Sequence, residues 1–186
     1  MDEYRDLKFK ALRIRGIICG YGGILNSIRS GDNVTAKHSM AVLEECYVDF
    51  MNRWHHLVYF GKLFGMFGSV EAEYILDCIR SMSDIIQSLA IKFLERDELS
   101  VGDVEWLEEY ANVILEVQDS VTYYILGLGR EGLLGDEKIV NGSIIKILDY
   151  TPPTPDNAVM KLIELMRKAR TLGYSVVIPI YPPIIS

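Results

Sequence analysis

The sequence predicts a mainly α fold: a bundle of four to five helices, then a small C-terminal module of β-hairpin, helix and strand. Three observations predict it. Apolar residues recur at three- and four-residue intervals through most of the chain before residue 130, as amphipathic helices require. Asn141-Gly142 sits between the β-prone runs EKIV and SIIKIL, a strong short-range hairpin signal. From Thr171 to Ser186 there is no charge, and VVIPIYPPII reads as a strand bounded by prolines. The change of character divides the chain into a helical bundle over 1–130 and an α+β appendage over 131–186, which can pack together as one domain.

Taken in order, Tyr4, Leu7, Ala11, Ile14 and Ile18 mark a first amphipathic helix, and the glycines of GYGG at 20–23 should end or loosen it. SGDN at 30–33 is a turn. A long helical pattern follows to about Gly61, with Leu43, Cys46, Tyr47, Phe50, Met51, Trp54, Leu57 and Val58 on one face. The glycines of FGKLFGMFGS mark a loop or a close backbone approach, since glycine inside a helix costs roughly 1 kcal/mol against alanine. Ser69 can cap a helix reaching about Glu95, its apolar face built from Ile75, Ile79, Met82, Ile86, Leu89, Ala90 and Phe93. Ser100 or Asp103 caps the next, which runs to about Leu126 and stops at LGLGREGLLG. Beyond the hairpin and the linker DYTPPTPDN, Asp156 or Asn157 starts a last helix that ends before Gly173.

Composition narrows the functional classes. Of 186 residues, 49% are apolar, enough for a sizeable core. The net charge of −7 is concentrated in residues 61–130, where five Lys/Arg face thirteen Asp/Glu. Such a surface disfavours nucleic acid as a partner, because phosphate binding needs clustered cations. Three scattered cysteines without CxxC spacing argue against a disulfide framework or a zinc site and for a reducing, cytoplasmic setting. The charged start MDEYRDLKFK shows no signal peptide, and no uncharged apolar run reaches the ~18–20 residues of a spanning helix.

The acidic stretch ERDELSVGDVEWLEEYANVILEVQD, Glu95 to Asp119, holds nine carboxylates and one arginine. On a helical wheel Trp106, Leu107, Tyr110, Val113, Ile114, Val117 and Val121 share one arc, and Glu105, Glu108, Glu109, Glu116 and Asp119 lie opposite. That is the pattern of one buried and one solvated face. The pairs Glu95-x-x-Glu98 and Glu116-x-x-Asp119 also resemble the ExxE…ExxD carboxylates of the all-α MazG-type nucleotide pyrophosphohydrolases. The resemblance implies Glu95, Glu98, Glu116 and Asp119 as Mg²⁺ ligands in nucleoside triphosphate hydrolysis; oxygen-rich pairs one turn apart suit that ion. It covers 25 residues, and it departs from the family pattern where Glu95–Glu98 straddles a helix end. Outside that alternative no cofactor is expected.

RDELSVGDVEWLEEYANVIL is similar to a helix-turn-helix in the helical body of GINS-type replication subunits, whose plan also ends in a small β-containing module. The resemblance implies a place in a replication complex. The basic run expected before it is absent, SLAIKFL carrying only Lys92, so no residue role transfers.

His38, Glu45, Asp49, Asn52 and His56 share a narrow polar arc, a partial metal set that a second helix would have to complete. No GxSxG or Cys–His context supports a nucleophile. The feature most in need of a partner is the tail, with Tyr174, Val176, Val177, Ile178, Ile180 and Tyr181 as candidate interaction residues. It must pair with the hairpin, lie across the helical body or dock on another chain. The leading expectation is therefore a non-enzymatic interaction or assembly subunit of a larger complex or particle, its partners other protein chains, as a homo-oligomer or complex subunit.

Overall fold

The computed structural model describes residues 2–63, 69–96, 98–121, 137–146 and 154–180. Within them the order is α1 (Asp2–Arg29), α2 (Asn33–Glu45), α3 (Tyr47–Leu63), α4 (Ser69–Arg96), α5 (Val101–Ser120), β1 (Glu137–Val140), β2 (Ser143–Lys146) and α6 (Pro155–Thr171). The mainly α architecture with a small C-terminal β element is thus the observed one. The YFGKLFGMFG segment from residue 64 to 68, LGLGREGLLG and the final residues 181–186 lie outside the described residues.

Local chemistry sets most boundaries. Gly31, at φ +83°, ends the first turn, and Asp32 caps α2 by accepting from the Thr35 N–H. Ser100 caps α5 in a reciprocal box with Asp103. Thr154 caps α6, whose first residue is Pro155, and Gly173 at φ +97° closes it. The start of α6 precedes the expected Asp156 or Asn157, because Pro155 supplies a helical φ and needs no N–H at the first position. Two further boundaries differ from expectation. The glycines of GYGG do not end α1, which continues to Arg29. They serve close approach: a Cβ on Gly20 would lie 3.0 Å from Leu43, and one on Gly22 would lie 3.1 Å from the Gly142 carbonyl. The single long helix expected after residue 33 is two, separated at Cys46, whose N–H bonds the Leu43 carbonyl at 3.0 Å.

α5 is the organising helix. α1 packs on one side of it, α6 on another, and β1 lies against its middle; α1 also contacts α2 and α3, and α4 contacts α2, α3 and α6. Trp54, Phe93, Ile14, Ile18, Met40, Ile79 and Met82 are fully buried in the common core. From α6, Leu162, Leu165 and Met166 join it, and the Trp106 indole donates to the Leu165 carbonyl at 3.0 Å.

The hairpin forms as read. Lys138 faces Ile145 and Val140 faces Ser143, leaving a two-residue loop in which Asn141 (φ 52°) and Gly142 (φ 82°) both take left-handed backbone. Gly142 seats on α1, where a Cβ would come within 2.5 Å of the Asn26 nitrogen. β1's outer edge is completed by a side chain: Asn112 of α5 donates to the Ile139 carbonyl at 2.9 Å and accepts from the Ile139 N–H at 2.8 Å. One amide thereby replaces a neighbouring strand.

The expected final strand is absent from residues 174–180, which among the described residues pair with no strand and lie across the helical body instead. Side chains take the carbonyls that a strand would have used. Arg170 donates to Val176 at 2.9 Å and Tyr74 donates to Pro179 at 2.8 Å. Pro179 has no N–H to offer a ladder.

Candidate functional site

The acidic face of α5 is the first candidate, and it is less wet than its pattern suggested. The C-terminal part of α5 is covered on every side, Val117 through Val121 being buried without interruption. A helix enclosed all round has no solvated arc, so the wheel fails there. Asp119 does not point to water: it is buried and accepts from Arg15 of α1 at 2.8 Å. Beside it Gln118 donates to the Ala11 carbonyl. Arg15 is itself buried, 4% exposed. Neighbouring elements neutralise further carboxylates. Arg29 of α1 reaches Glu108, and from α6 Lys161 meets Glu116 and Lys168 meets Glu109, each of the latter at 2.6 Å.

Glu95 and Glu98 stand exposed at and beyond the end of α4. The structure does not gather them with Glu116 and Asp119; among the described residues no group of three or more His, Cys, Asp or Glu could hold a metal ion. The arc of His38, Glu45, Asp49, Asn52 and His56 is likewise dispersed over two helices. His38 and Glu45 are exposed, Asp49 binds the Arg53 Nε at 2.9 Å, and His56 contacts Lys10.

The second candidate is the tail together with its dock. Asp103, at the N-terminus of α5, is only 1% exposed and joins three parts of the chain. It accepts from the Ser100 N–H at 3.1 Å, from Lys92 of α4 at 2.7 Å and from the Tyr174 hydroxyl at 2.8 Å. Burial pushes its carboxyl up, and the hydrogen bonds from Lys92, Tyr174 and Ser100 outweigh that, leaving it below the ordinary 3.8. Lys92 also sits over the Tyr174 ring, 5.9 Å from its centroid. From this anchor the tail alternates. Tyr174, Val176 and Ile178 pack against the core, while Val177 is 79% and Ile180 68% exposed. Tyr181 lies outside the described residues. Exposed Leu172 continues this apolar surface over Gly102, where a Cβ would lie 2.8 Å from the leucine, and exposed Val101 adjoins it in sequence.

The sequence singles out the tail as apolar and in need of cover, but not what holds it. Asp103 was legible as a cap, whereas its bonds to Lys92 and Tyr174 span 11 and 71 residues and leave no local signal. Tyr74 and Asn112 were missed for the same reason. Among the described residues, no helix is long and apolar enough to cross a membrane. No protein-family model, curated protein or solved structure matches the chain.

Proposed function

We propose that this chain is a non-enzymatic assembly subunit that offers its C-terminal tail to another protein chain. The observation that carries the reading is the two-sided tail: it is tied down at Tyr174 and Pro179, yet it turns Val177 and Ile180 into solvent, and among the described residues it pairs with no strand. Anchoring fixes the segment before a partner arrives, so less conformational entropy is lost on docking. Large apolar side chains held outward in a charge-free segment are the chemistry of a protein contact. The side-chain bonds of Tyr74 and Arg170 to tail carbonyls support the same reading, since they keep the segment from folding back on the hairpin.

Light scattering during size exclusion tests this on the full chain and on a chain ending at Gly173. The expected result is a concentration-dependent multimer for the full chain and a monomer for the shortened one. Monomers of unchanged behaviour in both cases would sink self-assembly through the tail.

A further inference from the structure

A second feature, independent of the tail, is the cleft between α1, the α2–α3 break, α4 and α5. Its walls are aromatic. Tyr21 meets Tyr110 edge-on, with ring centroids 5.7 Å apart and planes at 89°, and Tyr47 and Phe50 line it too. Trp106 stacks behind Tyr110 at 5.6 Å and holds that wall in place.

Glu44 also lines this cleft, half-buried, and no cation pairs with it among the described residues. Burial raises its carboxyl above the ordinary 4.5. Tyr21 and Tyr110 are buried, and neither hydroxyl has a hydrogen-bond partner among the described residues. Burial first holds both phenols above their ordinary 10.0; behind it stands Glu44 for Tyr110, and Tyr110 and then Glu44 for Tyr21. The cleft thus sets one carboxylate among aromatic walls, and its void is about 20 Å³.

We propose that this cleft binds the head of a primary alkylammonium group, with Glu44 as its counter-ion, Tyr21, Tyr47, Phe50 and Tyr110 around the head, and the alkyl stem leaving through the cleft mouth. An ammonium carries three donors and no acceptor, matching one carboxylate and two phenol oxygens. Aromatic walls favour a cation once water is excluded. The void selects the head group: it has room for little more than one water molecule, which admits –CH₂–NH₃⁺ and excludes a trimethylated nitrogen. A free alkylamine and a lysine side chain offer the same chemistry.

Amide NMR titration of the full chain is the test, with n-butylammonium, 1-butanol and tetramethylammonium as probes. Butylammonium should shift the amides around Tyr21, Glu44, Tyr47 and Tyr110 and saturate on the order of 10 mM or below, as suits a fragment of this size. Butanol and tetramethylammonium should bind at least about tenfold more weakly, the effect of losing one charge-assisted contact. Glu44→Gln should weaken butylammonium by roughly ten- to a hundredfold, and the exposed neighbour Glu45→Gln should leave it unchanged. Should Glu44→Gln fail to fold, the pair Tyr21→Phe and Tyr110→Phe carries the test, with weaker binding expected. Nα-acetyl-lysine methylamide binding like butylammonium assigns the pocket to lysine side chains; its failure beside a positive butylammonium result assigns it to free amines. Butanol binding equally well, tetramethylammonium binding as tightly, or Glu44→Gln binding like the native chain would each overturn the proposal.

Discussion

Each end of α5 buries an aspartate, and the two are held by different means. At the N-terminus Asp103 gathers the Ser100 N–H, a half-exposed Lys92 and the Tyr174 hydroxyl. At the C-terminus Asp119, 6% exposed, faces the buried guanidinium of Arg15. The helix dipole explains the asymmetry. Positive potential at the N-terminus favours a carboxylate, and negative potential at the C-terminus opposes it. Asp103 therefore needs only small donors and one lysine, whereas Asp119 needs a whole buried charge. The difference teaches which contact can be part of a working surface. Asp103 holds the tail by bonds that reach the solvent edge; Asp119 holds α1 to α5 inside the core.

The sharpest way to break this comparison is to remove the inner carboxylate. Asp119→Ala removes the carboxylate that faces Arg15 in the core and should cost about 3–5 kcal/mol in urea unfolding. Replacing both partners, Arg15→Met with Asp119→Leu, should recover most of that loss, because two desolvated charges vanish together. At the other end Asp103→Ala should cost about 2 kcal/mol, from the lost cap and the unpaired Tyr174 hydroxyl. If the two single losses prove equal, the dipole account of their difference fails.

The same asymmetry decides what was legible in the sequence. Ser100-x-x-Asp103 is a local signature, and so are Asn141-Gly142 and the SGDN turn that holds Asp32; each is satisfied by residues within one turn. The start of α6, expected at Asp156 or Asn157, lies instead at Thr154-Pro155. Asp119 carries no such signature. Its partner is 104 residues away, and a wheel that assumes one buried face assigns it to water. The glycines of GYGG misled for a related reason, since close packing on Leu43 and Gly142 is a tertiary fact that loosens no helix. The tail was legible as apolar and in need of cover, but Tyr74, Arg170 and Lys92, which fix its course, are scattered through the chain.

A gentler cut separates the tail from its dock and adds a pH signature. Tyr174→Phe keeps the ring over the core and deletes one hydroxyl donor to Asp103, an expected loss of about 1 kcal/mol. Because the folded Asp103 carboxyl sits below its ordinary 3.8, its contribution is complete above that pH and declines as pH falls through the lowered folded value. Unfolding measured at pH 7 and at about pH 3 should therefore show an acid loss that is smaller in Asp103→Asn than in the native chain. An identical acid loss in both would place the sensitive carboxylates elsewhere.

The smallest effect on the fold should accompany the largest on association. Val177 is 79% exposed, so Val177→Asp removes little packing and should change unfolding by no more than about 0.5 kcal/mol. A partner docked on that face would have to bury the new carboxylate, which is far costlier than burying a methyl pair. Scattering at matched concentrations should thus show the multimer lost while the unfolding midpoint stays put. Ser175→Asp, on a residue that is already polar and exposed, is the matched control for adding charge to the tail. Loss of assembly in Val177→Asp with retention in Ser175→Asp assigns the contact to the apolar side chain. Loss in both assigns it to charge along the tail, and the distinction between a firmly held core aspartate and a tail surface poised for a partner then rests on electrostatics, not on the outward valine.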